Sequence, residues 1–350
     1  MMVQVYKNPN LNNLLIDYLN VKNLVKINNK SEYLKVHNEV WIDFEENLQM
    51  DYYESFYKIN NNVAICSHYI KLYNINHNKD NYFLISCGRG HLDIVKFLLS
   101  LNDNIDIHRH NERPLIVSCI GGHLDVVQFL LSLNKGINIS VNDEEAFRFS
   151  CAYGHLHIVK FLLSLNNGID IHARDEEAFR WSCERGHLPM VEFLWSLNKG
   201  INIRTYNEFA FRTSCERGYI DIVKFLWSLN KGINIHAYNE EAFRMSSERG
   251  HIDVVKFLWS LNQNINIHAE NEFAFRKSCF NNNIDVVKFL LSLNKNIDIH
   301  AEYEDAFRYS CLIGHVELVK FLITLYKQEN NTSYIKILNK YPKIKSQLEL

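Results

Sequence analysis

A surplus of positive charge is the first thing this sequence lacks. Its 38 Lys and Arg face 40 Asp and Glu, a formal net charge of -2, so there is no basic excess to neutralise a phosphate backbone and no nucleic-acid partner is expected. Charge as a whole is modest. With 22% charged and 47% hydrophobic residues, the chain has enough apolar material to bury a core and too little charge to stay disordered. Long apolar runs are missing as well: Met1 to Pro9 carry no secretory core, and no later run approaches a membrane span. The expectation is a soluble intracellular protein in the reducing cytoplasm, with no membrane contact. Gly (13) and Pro (4) are scarce beside abundant Asn, Ile, Lys and Tyr, the usage of an AT-rich genome, which bears on origin and not on function.

What the chain does contain is one motif recurring at a fixed step. It reads Gly-His-Leu-Asp-Ile-Val-Lys-Phe-Leu-Leu from Gly90 to Leu99, and its second position returns at His123, His155, His187, Tyr219, His251, Asn283 and His315, always 32 residues on. Cysteine keeps the same period. Cys87, Cys119, Cys151, Cys183, Cys215, Cys279 and Cys311 share one repeat position, Ser247 fills the gap, and Cys66 stands outside. Equivalent residues on stacked helices lie about 8–10 Å apart, beyond the roughly 7 Å Cα limit for a disulfide, so buried free thiols are expected in preference to metal or redox chemistry.

Within one unit, Ala178, Phe179, Ser182 and Cys183 fall on one face of a short first helix, which Gly186 ends by taking a left-handed conformation. Leu188, Val191, Phe193, Leu194, Trp195 and Leu197 then form the wide apolar stripe of a second helix. Asn198-Lys199-Gly200 breaks it, and Ile201-Asn202-Ile203 alternates like a strand before the polar tip at Arg204 to Glu208. No unit can bury its faces alone, so stability must come from stacking.

This unit resembles the ankyrin repeat, whose second-helix signature is matched by Gly250-His251-Ile252-Asp253-Val254-Val255-Lys256-Phe257-Leu258, with the likeness covering about residues 81–330. Two features depart from that pattern. The Thr-Pro-Leu-His opening becomes Glu-Ala-Phe-Arg at Glu241 to Arg244, or Phe-Ala-Phe-Arg at Phe273 to Arg276, and the period is one residue shorter than the usual 33. Loss of that Thr and His predicts looser hairpins. The fold class implied is all-α with short hairpin tips: an ankyrin-repeat α-solenoid of about eight 32-residue repeats plus a small helical N-terminal module. The domain reading is a helical module at 1–52, a divergent repeat or cap at 53–80, the array at 81–330 and a C-terminal cap or tail at 331–350. The array also looks like those encoded by large DNA viruses such as mimivirus-like viruses.

Upstream, about residues 9–45 resemble an F-box, the helical module that docks on the adaptor of a cullin-RING ubiquitin ligase, with Tyr18 to Ile27 the best-matching part. The resemblance implies that Leu14, Leu15, Leu19, Leu24 and Ile27 hold the module together or face that adaptor. Its Leu-Pro opening is out of register, and Tyr33 or Leu34 stands where Trp is common.

Chemistry should break the repeat rule, because catalysis needs one site and not eight copies. His108 and His110 have no third ligand placed beside them, and the remaining histidines mostly fill the Gly-His turn or the position of His172, His236, His268 and His300. Paired acids such as Glu144-Glu145, Glu176-Glu177 and Glu240-Glu241 read as solvated tips. Arg148, Arg180, Arg212, Arg244, Arg276 and Arg308 form a periodic row, for which Glu145, Glu177, Glu241 and Asp305 three residues earlier are the expected acids. No phosphate loop, zinc helix or nucleophile elbow occurs. A non-enzyme without cofactors is expected, a monomer that binds a protein partner, with a host-cell protein as one candidate, as an interaction scaffold. The alternative is a ubiquitin-ligase substrate receptor. Positions that vary between units encode the target, and the residues expected to carry it are Tyr153, Arg174, Trp181, Arg185, Tyr206, Arg217, Tyr238, Arg249 and Phe280.

Overall fold

The computed structural model describes residues 79–348 except 102–103, 166–167, 198, 262–263 and 294. It divides into two compact units, one made of residues up to 150 with 155–170, the other of 151–154 with 171–350. The first unit contains α1 (Lys79–Arg89), α2 (Leu92–Leu101), α3 (Arg109–Gly121), α4 (Leu124–Ser132), most of α5 (Val141–Ala152) and α6 (Leu156–Ser164). The second contains α7 (Ala173–Glu184), α8 (Leu188–Ser196), α9 (Thr205–Glu216), α10 (Ile220–Ser228), α11 (Ala237–Arg249), α12 (Ile252–Ser260), α13 (Ala269–Phe280), α14 (Ile284–Ser292), α15 (Ala301–Ile313) and α16 (Val316–Gln328), closed by α17 (Ser333–Leu338) and α18 (Pro342–Gln347). First helices pack on first helices of the next repeat, as α7 on α9 and α9 on α11, and second helices on second helices, as α8 on α10.

On the first helices the burial follows the pattern the sequence implies, whereas the second-helix stripe is narrower than expected, with Leu188, Phe193 and Leu197 only half-buried. Ala178, Phe179, Ser182 and Cys183 are fully buried on α7, and Met190, Val191 and Leu194 on α8. Each Phe of the Ala-Phe-Arg opening, from Phe147 to Phe307, lies in the core. Trp195, Trp227 and Trp259 are only half-buried, their second-helix position lying at the edge of the stripe. All seven described cysteines are free and buried; burial pushes the thiols of Cys119 and Cys311 up to about 12 and raises the other five as well, so none is a nucleophile at neutral pH.

The Gly-His turn shows why its two residues travel together. Gly218 has φ +77°, and a Cβ there would fall 2.4 Å from His251 Nδ1 of the next repeat. That imidazole occupies the room the glycine leaves. The equivalent rings reach back to helix-end carbonyls of the preceding repeat, His123 Nε2 to Gly88 O at 3.1 Å and His155 Nε2 to Ile120 O at 2.8 Å. Burial holds His123 and His251 below the usual imidazole value, so they serve as neutral hydrogen-bonding groups.

The tips differ from expectation. Among the described residues no strand forms; the alternating Ile-x-Ile segment instead buries Ile201 and Ile203, and the tip is a turn of three successive left-handed residues. Tyr206, Asn207 and Glu208 have φ of 52°, 52° and 63°, and the same triplet opens α3, α5, α7, α11, α13 and α15. Such residues cost about 1–2 kcal/mol each outside glycine, least for Asn and Asp, which hold the middle place in every triplet but the last.

Candidate functional site

The left-handed turn is held from two sides. Arg180 donates from Nε to Asp175 O at 2.8 Å and from Nη2 to Arg174 O at 3.0 Å, and Arg212, Arg244 and Arg276 repeat the arrangement. The Arg row is therefore a set of caps on the carbonyls of the left-handed turns. Its acids come from the following repeat and not from three residues earlier: Arg212 Nη1 meets Glu241, and Arg276 Nη1 meets Asp305 at 2.9 Å.

The second support is the glutamate ending each triplet. Glu112, Glu144, Glu176, Glu208, Glu240 and Glu272 are buried, which for Glu144, Glu176 and Glu240 corrects the reading as solvated tip acids; only the second member of each acid pair remains partly open. Glu240 Oε1 accepts from Asn266 N at 3.1 Å and lies 2.7 Å from His236 Nδ1. Glu176 does the same with Asn202 N at 3.0 Å and His172 Nδ1 at 2.9 Å. This carboxylate supplies the tie between turn and helix that the missing Thr and His would have made, so the tips are clamped instead of loose. Sequence reasoning passed over it. The available signal was its presence at one step of 32 from Glu112 to Glu304 while the next position varies as Arg, Glu, Glu, Phe, Glu, Phe and Asp.

On this frame the nine expected partner-binding residues all fall in the second unit. They form two rows at opposite ends of the first helices. Arg174, Tyr206 and Tyr238 occupy consecutive tips and are exposed, both tyrosines at 57%. The Arg180 guanidinium lies 4.4 Å from the Tyr206 ring centre and Arg212 4.4 Å from that of Tyr238, so each tip ring stacks on the cap of the repeat before it. Tyr206 O–H donates to Asp175 at 3.0 Å, and Asn207 Nδ2 donates to Tyr238 Oη at 3.1 Å. The other row lies at the helix ends. Arg185 stacks on Tyr153 at 4.4 Å, Arg217 pairs with Glu184 at 2.9 Å, Arg249 with Glu216 at 3.2 Å, and Phe280 meets Tyr309 edge-on at 5.2 Å. Trp181 is half-buried on α7 between the rows.

Leu14, Leu15, Leu19, Leu24 and Ile27 lie outside the described residues. Among the described residues no group of three or more His, Cys, Asp or Glu is placed to hold a metal ion, and no helix is long and apolar enough to cross a membrane.

Stacked helix pairs joined by clamped tips define a helical-repeat protein whose variable side chains project from a repeated frame. A family model described as ankyrin repeats matches residues 56–143, 147–239, 211–303 and 242–333, and the chain belongs to that family. The array is a protein–protein interaction module. Comparison with the curated proteins finds no match.

Proposed function

We propose that this chain is a non-enzymatic scaffold that grips a protein partner along the tips of α7, α9 and α11, with Tyr206 and Tyr238 as the dominant anchors. The observation that carries this is their combination of exposure and fixity. Two tyrosines are each 57% exposed, yet each is held by a stacked guanidinium and by a hydrogen bond to its phenol. An aromatic ring already fixed in place loses little entropy on binding, and Tyr is prominent among residues that dominate interface energies. Arg217 and Arg249 already have partners in exposed ion pairs, which suits a rim. The test is co-purification from the native host cell with the full chain. The double change Tyr206→Ala and Tyr238→Ala should abolish recovery of a partner that the parent retains, whereas Arg217→Ala with Arg249→Ala should leave most of it; the reverse ranking would overturn the assignment.

The F-box likeness of Tyr18 to Ile27 supports a second reading, a ubiquitin-ligase substrate receptor in which Leu14, Leu15, Leu19, Leu24 and Ile27 serve the adaptor. Binding of the cullin adaptor that disappears on deleting residues 1–45 would support it, and no binding at all would remove it.

A further inference from the structure

Arg204 breaks the repeat. The residue four places before the buried glutamate is His at His108, His172, His236, His268 and His300, and Ser at Ser140. Each of the five histidines turns Nδ1 to its glutamate. Arg204 keeps that contact through Nε, 2.8 Å from Glu208 Oε1, and so needs only one of its donors for the structural duty. The Nη1 and Nη2 edge has no partner among the described residues, and the side chain is half exposed. A Cβ built on Gly232 would lie 3.9 Å from Nη1, so the guanidinium extends toward the loop of the next repeat.

Arg204 lines a cleft of about 470 Å³ together with Asn202, Asn207, Glu208, Asn234, His236 and Tyr238. The donors left over around it stand beside two acceptors, Asn207 Oδ1 and the partnerless Oε2 of buried Glu208. Asn234 Oδ1 and Asn202 Oδ1 are consumed by the backbone N–H groups of His236 and Arg204, which leaves their Nδ2 groups. His236 turns Nδ1 to Glu240 and borders the cleft with Nε2, an acceptor when Nδ1 carries the proton. Tyr238 Oη accepts from Asn207, which leaves its O–H to donate. Glu208, the one carboxylate in the lining, is only 2% exposed, and its Oε1 already takes Arg204 Nε and Asn234 N. An arginine edge with amide and phenol donors around it matches the geometry of a two-oxygen anion, which it holds through two parallel hydrogen bonds.

We propose that this cleft receives an oxyanion borne on a side chain of the bound partner, a carboxylate or a phosphate, with the Arg204 Nη1 and Nη2 edge as the fork and Tyr238 and Asn234 as flanking donors. The proposal rests on the scaffold reading for the source of the anion, and its test does not. The full chain, labelled for NMR detection of arginine Nε–H and histidine Cε1–H, is titrated with N-acetyl-aspartate amide, N-acetyl-phosphoserine amide and the neutral N-acetyl-asparagine amide. Saturable shifts at Arg204 and His236 are expected with at least one of the two anions and none with the neutral compound; the anion that saturates names the source. Arg204→His, which installs the residue of the neighbouring repeats, should weaken that binding at least ~10-fold by removing the fork while retaining a partner for Glu208. Tyr238→Phe tests the same cleft through a change remote from that glutamate, should weaken binding too, and decides the matter if the first variant does not fold. Absence of saturable shifts with both anions, or equal affinity in the folded variants, would overturn the proposal. Loss of partner recovery in the Tyr206 and Tyr238 double change with no anion binding would leave the scaffold standing and this site refuted.

Discussion

A single atom decides what the Gly-His turn tolerates. At Gly218 an added Cβ meets two obstacles, φ of +77° and an imidazole 2.4 Å away; at Gly200 φ is +76° and nothing lies within 4 Å. The two sites share a backbone conformation and differ in space, so their contrast separates strain from packing. Gly200→Ala should cost about 1–2 kcal/mol, the left-handed penalty alone. Gly218→Ala should cost about 3 kcal/mol or more, because His251 must also give up its place against the preceding helix end. Urea unfolding of the two variants measures the difference, and equal losses would mean that the His251 ring moves aside freely.

At the scale of the element, the clamp made by the buried glutamate is the piece that lets three left-handed residues follow one another. Removing Glu240 would leave the Asn266 N–H and His236 Nδ1 facing an empty site. Glu240→Ala should therefore lose about 2–4 kcal/mol, most of it the penalty of unpaired polar groups. In Glu240→Gln the amide oxygen still accepts from Asn266 N, so about half of that loss or less is expected. Chemical denaturation ranks the pair, and an alanine variant as stable as the parent would show that the tip holds itself. This element also marks the limit of the sequence reading. Helix pairs were legible because burial at Ala178, Phe179, Ser182 and Cys183 follows directly from helical spacing, and the Gly186 turn from its residue type. The tip was not legible. Alternation at Ile201-Asn202-Ile203 looks like a strand to any local rule, while the conformation that forms depends on a guanidinium five residues later and on a backbone N–H 26 residues away. The partner row was read from variation between repeats, which finds exposed positions such as Tyr206 and Tyr238 but does not reveal that Arg217 and Arg249 are already paired.

At the scale of the whole molecule, a stack of repeats is as durable as its ends, because an end repeat lacks one neighbour. The second unit closes with α16, α17 and α18, where the glutamate clamp is reused in altered form. Glu304 takes the Tyr326 phenol and the Ser333 hydroxyl, while the His300 ring lies 2.8 Å from Glu304 through Nδ1 and 2.8 Å from Glu329 through Nε2. Tyr326 packs edge-on against that ring at 4.9 Å, and Asn331 Nδ2 approaches it at 3.4 Å. Burial opposes the charged imidazole, but hydrogen bonds to the two carboxylates and their charges outweigh it and raise the His300 pKa above 6.5. A group raised on folding stabilises the native state fully below its unfolded pKa, and that contribution fades as pH rises through the folded value. The window therefore opens near 6.5 and closes above the raised pKa. The ring is partly solvated, so the effect is modest, about 1 kcal/mol or less. His300→Gln should abolish this part of the pH dependence and leave the variant less stable than the parent at the acid end of the window, with the gap narrowing toward alkaline pH. Hydrogen exchange of α17 and α18 reads it directly: protection that falls with rising pH in the parent and stays flat in the variant is expected, and parallel profiles would show that the cap does not depend on this charge.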